Sequence, residues 1–206
     1  MLLLILSLAG TVVFAASGAA AAVARRLDLF GVIVVGTVTA LGGGLTRDVL
    51  IGEVPPLALT DWRYAAAAAV TAAVIFWTHG RVFRLRRTML TLDAAGLALF
   101  TVVGTTTGSH AGLPWPGAVV VGVITGVGGG VLRDVLTGQI PIVLQREIYA
   151  VAAAAGAVVV VLCPALAVPE PVGMIGAALL VFVVRLLSSY RNWNAPVPKQ
   201  TGPAPG

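Results

Sequence analysis

GVIVVGTVTALGGGLTRDVLIGEVP occupies residues 31–55, and GAVVVGVITGVGGGVLRDVLTGQIP occupies residues 117–141. The two 25-residue windows lie 86 positions apart and agree at 14 positions. Both copies carry a glycine triplet (Gly42, Gly43 and Gly44; Gly128, Gly129 and Gly130) and, three positions on, an Arg-Asp pair (Arg47 and Asp48; Arg133 and Asp134). They are set in apolar sequence. Glycine triplets and charges inside a membrane lower stability, so placing them twice points to function.

The surrounding composition supports the membrane reading. Of 206 residues, 58% are hydrophobic and 10% charged, and the mean hydropathy is +1.00. Soluble domains carry about 25% charged residues. Successive apolar stretches approach the ~20 residues needed to cross a bilayer. The net charge of +5 does not indicate nucleic acid, because the basic residues cap apolar segments and form no basic face. The single cysteine, Cys163, excludes an intrachain disulfide and reads as a packing residue.

Residues 2–24 resemble a signal peptide in length, but their positive charges, Arg25 and Arg26, follow the apolar run instead of preceding it. The repeat also reaches into this segment: Gly10, Phe14 and Gly18 match Gly96, Phe100 and Gly104. The sequence therefore predicts a retained first helix. In all it predicts an all-α membrane protein with seven membrane-spanning helices, at about 2–24, 29–52, 62–80, 90–108, 117–138, 147–163 and 171–189. Asp61 caps the third helix and Pro55-Pro56 stops the second, while prolines 114, 116, 169 and 171 precede the fifth and seventh. The chain divides into a three-helix repeat (1–84), its second copy (85–166), a seventh helix (167–190) and a Pro/Gly-rich disordered tail (191–206). Three helices per copy is an odd number, so the second copy enters from the opposite face and the repeats are inverted.

Orientation follows from basic residues. With the N-terminus outside, the cytoplasmic segments hold Arg25, Arg26, Arg81, Arg84, Arg86, Arg87, Arg146, Arg185, Arg191 and Lys199, and the outside loops hold only Arg63. The positive-inside rule then places the chain in the cell (inner) membrane with its C-terminus cytoplasmic. Trp62, Trp77, Trp115 and Trp193 fall near helix ends, as interfacial anchors do. His79 and His110 read as surface or interfacial residues.

Three glycines in a row, each costing about 1 kcal/mol against alanine, are expected to bend or unwind a helix. Loosened backbone survives in a membrane only when packed in protein or lining a wet cavity; the alternative is that the triplets let two helices cross closely. Adjacent helical residues point ~100° apart, so Arg47 and Asp48 need not pair with each other. Inverted symmetry offers cross-repeat partners instead, Arg47 with Asp134 and Asp48 with Arg133. A structural ion pair or snorkelling arginines remain open. Thr39 and Thr125, three before each triplet, could line a pore or bond back to the preceding turn. Asp93 opens the fourth helix, and its repeat equivalent is Ser7. No metal-ligand cluster, phosphate loop or nucleophile with a histidine base is evident, so the chain does not read as an enzyme and needs no cofactor beyond a permeant K+ or Na+.

At FGVIVVGTVTALGGGLTRD, LDAAGLALFTVVG and GVITGVGGGVLRDVLTGQIPIVLQREIYA the chain resembles the prokaryotic branch of the trimeric intracellular cation (TRIC) channel family, also catalogued as a glycine-transporter domain family. The resemblance covers about residues 5–190. It implies a homotrimer in membrane lipid, each subunit holding its own pore between the second and fifth helices. That pore is kinked at the two glycine triplets and passes monovalent cations, chiefly potassium. Relatives commonly open the first helix's DxxGxxxF stretch with aspartate. Here that residue is Ser7, while Asp93 keeps the pattern in the fourth helix, so a role needing both carboxylates does not carry over. The lysine-containing motif of animal relatives is absent from both copies. Beside the channel stand two other readings: a secondary transporter of glycine or a similar small zwitterion, with Arg47 or Arg133 holding its carboxylate, and a structural scaffold.

Overall fold

The computed structural model describes residues 1–82, 86–145 and 148–191, without the side chains of residues 79–82, 86 and 87. Arg84, Arg146, Trp193, Lys199 and the tail from 192 therefore lie outside the described residues, as do the side chains of His79, Arg81, Arg86 and Arg87.

The described chain is helical. In order it forms α1 (Leu2–Ala24), α2 (Leu29–Leu50), α3 (Leu57–Thr60), α4 (Trp62–Val82), α5 (Arg86–His110), α6 (Trp115–Leu136), α7 (Ile142–Gln145), α8 (Ile148–Leu162) and α9 (Glu170–Tyr190), with a 3-10 turn at Pro164–Leu166. Among the described residues, five helical segments are long and apolar enough to cross a membrane: α1, α2, Thr88–His110 of α5, α6 and α9. Helix α4 has comparable length, and α8 is a shorter apolar helix of 15 residues. Large apolar side chains face outward along the long helices, Phe30, Val74 and Leu179 among them, a surface suited to hydrocarbon. Trp62, Trp77 and Trp115 are exposed near helix ends.

The packing is built twice. In the first copy α1, α2 and α4 contact one another; in the second α5, α6 and α8 do the same. The copies meet through equivalent helices, α2 against α6 and α1 against α5, as a pseudo-two-fold axis requires. Phe14 of α1 stacks on Phe100 of α5 with ring centroids 5.3 Å apart, and each ring lies over the other helix's repeat glycine, Phe14 over Gly96 and Phe100 over Gly10. Helix α9 stands outside the repeat and packs on α5 and α8.

Local chemistry explains the helix ends. The Asp28 carboxylate accepts the Gly31 N–H at 2.8 Å and caps α2, and Asp61 accepts the Arg63 N–H at 3.1 Å at the start of α4. The second helix stops at Leu50, earlier than Pro55-Pro56 suggests, because Gly52 takes a positive φ of 80° and closes a Schellman motif. Its N–H reaches Val49 O and the Glu53 N–H reaches Asp48 O at 2.9 Å. The copy is faithful: Gly138 has φ 66°, and the Gln139 N–H reaches Asp134 O at 2.8 Å. Pro116 and Pro171 sit inside the first turns of α6 and α9, where a missing N–H leaves no bond unmade.

Candidate functional site

The glycine triplets sit where α2 crosses α6. A Cβ on Gly43 would strike the Thr125 carbonyl oxygen, and a Cβ on Gly129 would strike the Thr39 carbonyl oxygen. The middle glycine of each copy thus packs on the backbone of the other. Gly42 receives Leu132, and Gly128 faces the Gly43 Cα, with 3.3 Å between it and an added Cβ. The outer members differ: a Cβ on Gly44 would meet nothing within 4 Å, whereas one on Gly130 would lie 2.9 Å from the Tyr149 hydroxyl. Both triplets remain α-helical, which corrects the expectation of unwinding. The propensity lost at each glycine is offset by the close backbone approach it permits. The backbone at both triplets is therefore packed and not loosened.

Thr39 and Thr125 are fully buried beside the crossing. Each hydroxyl donates to the carbonyl four residues back, Val35 O and Val121 O, at 2.6 Å in both cases. Their Oγ1 and Cβ atoms press on Gly18 and Gly104, the equivalent positions of α1 and α5.

Each aspartate holds a second element in place. Asp48 Oδ2 accepts the Leu57 N–H at 2.9 Å, and Asp134 Oδ2 accepts the Ile142 N–H at 2.9 Å. Those amides open the one-turn helices α3 and α7, so the repeated carboxylates cap them across the connecting loops. The other oxygen of each carboxylate binds the neighbouring arginine: Arg47 Nε donates to Asp48 Oδ1 at 2.7 Å, and Arg133 Nε to Asp134 Oδ1 at 2.8 Å. The cross-repeat pairs Arg47–Asp134 and Asp48–Arg133 are thus not what the structure contains. The Cα directions of adjacent residues diverge, but an arginine stem is long enough to fold its guanidinium back onto the next carboxylate.

The two ends then diverge. Arg133 Nη1 also donates to Asp93 Oδ1 at 2.7 Å and to Ser17 Oγ at 2.8 Å. Tyr149 donates its hydroxyl to Asp93 Oδ1 at 3.3 Å, and Arg185 of α9 lies 3.9 Å from Asp93 Oδ2 and over the Tyr149 ring at 4.7 Å. Asp93, Arg133 and Arg185 are each no more than 3% exposed. Ser7, the counterpart of Asp93, offers Arg47 no carboxylate. The sequence reading missed Tyr149 altogether and counted Arg185 only among the basic residues of the cytoplasmic segments; the structure buries it in this network. Its signal was a lone arginine within the apolar run VFVVRLL.

Each Arg-Asp pair borders a cavity. One of about 260 Å³ is lined by Ser7, Arg47, Asp48, Glu53, Tyr64 and Thr107, at the N-terminal end of α1. A narrow extension of it runs past Thr11 and Gly44 to Phe100. Another of about 380 Å³ lies at the opposite end of α1, lined by Asp93, Arg133, Asp134, Gln139, Gln145 and Arg185. At ~30 Å³ per water, both have room for several. Between them stand the Gly43/Gly129 crossing and the Phe14–Phe100 stack. Among the described residues no group of His, Cys, Asp and Glu is placed to hold a metal ion.

The family model described as glycine transporter matches residues 4–80 and 90–165. Over 190 residues the chain is 44% identical to a membrane protein of Deinococcus radiodurans, covering 91% of this chain and 87% of that protein. Two solved structures share its fold. One, from work on conductance through TRIC cation channels, is 36% identical with a TM-score of 0.86, over 97% of this chain and 98% of that one. The other, the TRIC trimeric intracellular cation channel orthologue from Rhodobacter sphaeroides, is 31% identical with a TM-score of 0.89, over 93% and 99%.

Proposed function

We propose that this chain, which belongs to the glycine-transporter family, is a channel for monovalent cations, with potassium as the permeant ion and a pore inside each subunit between α2 and α6. The observation that carries this reading is the pair of cavities at opposite ends of α1, each bordered by one copy of the Arg-Asp motif and separated by one short glycine-threonine-phenylalanine barrier. The likeness to TRIC cation channels over nearly the whole chain supports it.

In the arrangement described, the barrier is shut. An ion can remain hydrated in either cavity but must cross a tightly packed region where glycine backbones touch. Conduction requires α2 and α6 to separate slightly at that crossing. The Arg-Asp pairs are placed to control this step: each arginine neutralises the carboxylate that would otherwise attract a cation, and each carboxylate ties the end of its pore helix to a one-turn helix. Releasing Arg47 from Asp48, or Arg133 from Asp134, exposes negative charge to the pathway as it opens. No ring of carbonyls is required, so selectivity among monovalent cations is weak in this account. The assembly is a homotrimer in the inner membrane with its N-terminus outside. That orientation rests on the excess of basic residues in the cytoplasmic segments, an excess that no longer includes the buried Arg185.

The test is a flux assay on purified protein in liposomes. A potassium gradient should produce a membrane potential, read by a dye, without saturable uptake of radiolabelled glycine. Saturable glycine uptake with no potassium-dependent potential would overturn the channel in favour of a transporter.

A further inference from the structure

The repeat places position 53 and position 139 in the same backbone setting. Each follows the positive-φ glycine that ends a pore helix, and each donates its N–H to the carbonyl of the motif aspartate, at 2.9 and 2.8 Å. Each also lines the cavity at its end of the molecule. The residues differ: one is Glu53 and the other Gln139. The carboxylate has the reverse distribution one layer deeper, where Ser7 faces one cavity and Asp93 the other.

The exchange changes what each cavity presents to an ion. At the Ser7 end Arg47 and Asp48 cancel, and the exposed Glu53, which makes no hydrogen bond or ion pair through its side chain among the described residues, leaves one uncompensated negative charge. At the Asp93 end the charged lining groups among the described residues are Asp93, Asp134, Arg133 and Arg185, which sum to zero; Arg133 binds both carboxylates at 2.7 and 2.8 Å, and Arg185 lies 3.9 Å from Asp93. Among the described lining residues, one cavity carries a net negative charge and the other none.

We infer that Glu53 is the conductance-determining residue of one mouth, raising the cation concentration at that entrance and making the channel pass cations more readily from the Glu53 side than from the Gln139 side. This rests on the channel reading. One unit charge within ~7 Å of an ion in water changes its local concentration by roughly two- to threefold. The effect is screened by salt, with a Debye length of ~30 Å at 10 mM and ~3 Å at 1 M, so it belongs to low ionic strength.

Single-channel currents in planar bilayers test this, recorded in symmetrical KCl at about 10 mM and about 1 M, where the Debye length is ~30 Å and ~3 Å. At 10 mM the wild-type current should rectify about twofold, Glu53→Gln should make it nearly symmetrical, and Glu53→Gln with Gln139→Glu should rectify in the opposite sense. At 1 M the three should coincide. Polarity is assigned with Glu53→Cys in a Cys163→Ser background. A membrane-impermeant sulfonate thiol reagent should restore the missing charge from one chamber only, and the larger cation flow should enter from that chamber. Unchanged rectification in Glu53→Gln at 10 mM overturns the inference, as does a difference that persists at 1 M, since screening would have removed a purely electrostatic effect. Absence of any wild-type current instead overturns the channel reading on which it depends.

Discussion

Adding one methyl group at neighbouring glycines should have opposite consequences. Gly43→Ala and Gly44→Ala make the same chemical change in the same helix, and each gains about 1 kcal/mol of helix propensity. At Gly44 the new Cβ meets nothing within 4 Å, so the gain should survive. At Gly43 it collides with the Thr125 carbonyl oxygen and lies 3.2 Å from the carbonyl carbon. Backbone cannot rotate away as a side chain does. Restoring ordinary contact of ~3.5 Å or more requires α2 and α6 to part by on the order of 1 Å, which forfeits a quarter to a half of the dispersion energy along the crossing. Overpacking of this kind costs about 1–3 kcal/mol or more, against the 1 kcal/mol gained. Gly43→Ala should therefore lower the thermal unfolding midpoint in detergent, followed by tryptophan fluorescence, and Gly44→Ala should leave it unchanged or raise it. Equal midpoints for the two variants would refute the reasoning, because they would mean that the triplets are not packed backbone against backbone.

Other perturbations probe other parts of the account. Asp93→Ala leaves Arg133 and Arg185 with an uncompensated buried charge and should destabilise by about 3–5 kcal/mol, whereas Ser7→Ala at the equivalent position should cost under ~1 kcal/mol; chemical denaturation of the two variants makes the comparison. Asp48→Ala removes the cap of α3, worth about 1–2 kcal/mol, and should abolish hydrogen-exchange protection at the Leu57 amide while leaving that of Ile142 intact. Phe14→Ala empties half of the aromatic stack and should cost about 3–5 kcal/mol of stability. In liposomes the same variant should raise potassium leak, since the stack stands between the two cavities.

The repeat made much of this molecule readable. The long helices fall where apolar length and the 86-residue offset put them, and the inverted pairing of α2 with α6 follows from three helices per copy. What escaped the sequence reading has physical causes. The one-turn helices α3 and α7 are four residues each, too short to show any period; their signal is the aspartate that caps them from eight or nine residues upstream. At the triplets the propensity of an isolated helix points to bending or unwinding, and the alternative, a close crossing of two helices, is what the structure contains because the contact between helices outweighs the lost propensity. The arginines were assigned distant partners from Cα directions alone, although their reach lets them bind the next residue. Arg185 lies on the helix outside the repeat, so no duplicate drew attention to it. Asp93, which stands out in the sequence as the residue opening the fourth predicted helix, with Ser7 as its copy, is the hub of the more densely bonded end.

The central claim is that ions pass between α2 and α6 within one subunit, and cysteine accessibility at Gly44 tests it most directly. This glycine has open space before it and lines the narrow extension that leads from the Ser7 cavity toward Phe100. In a Cys163→Ser background, Gly44→Cys should be modified by a bulky membrane-impermeant thiol reagent applied from the Glu53 side, and the potassium current through that subunit should be blocked. Complete modification with an unaltered current would contradict the account and place the pathway elsewhere.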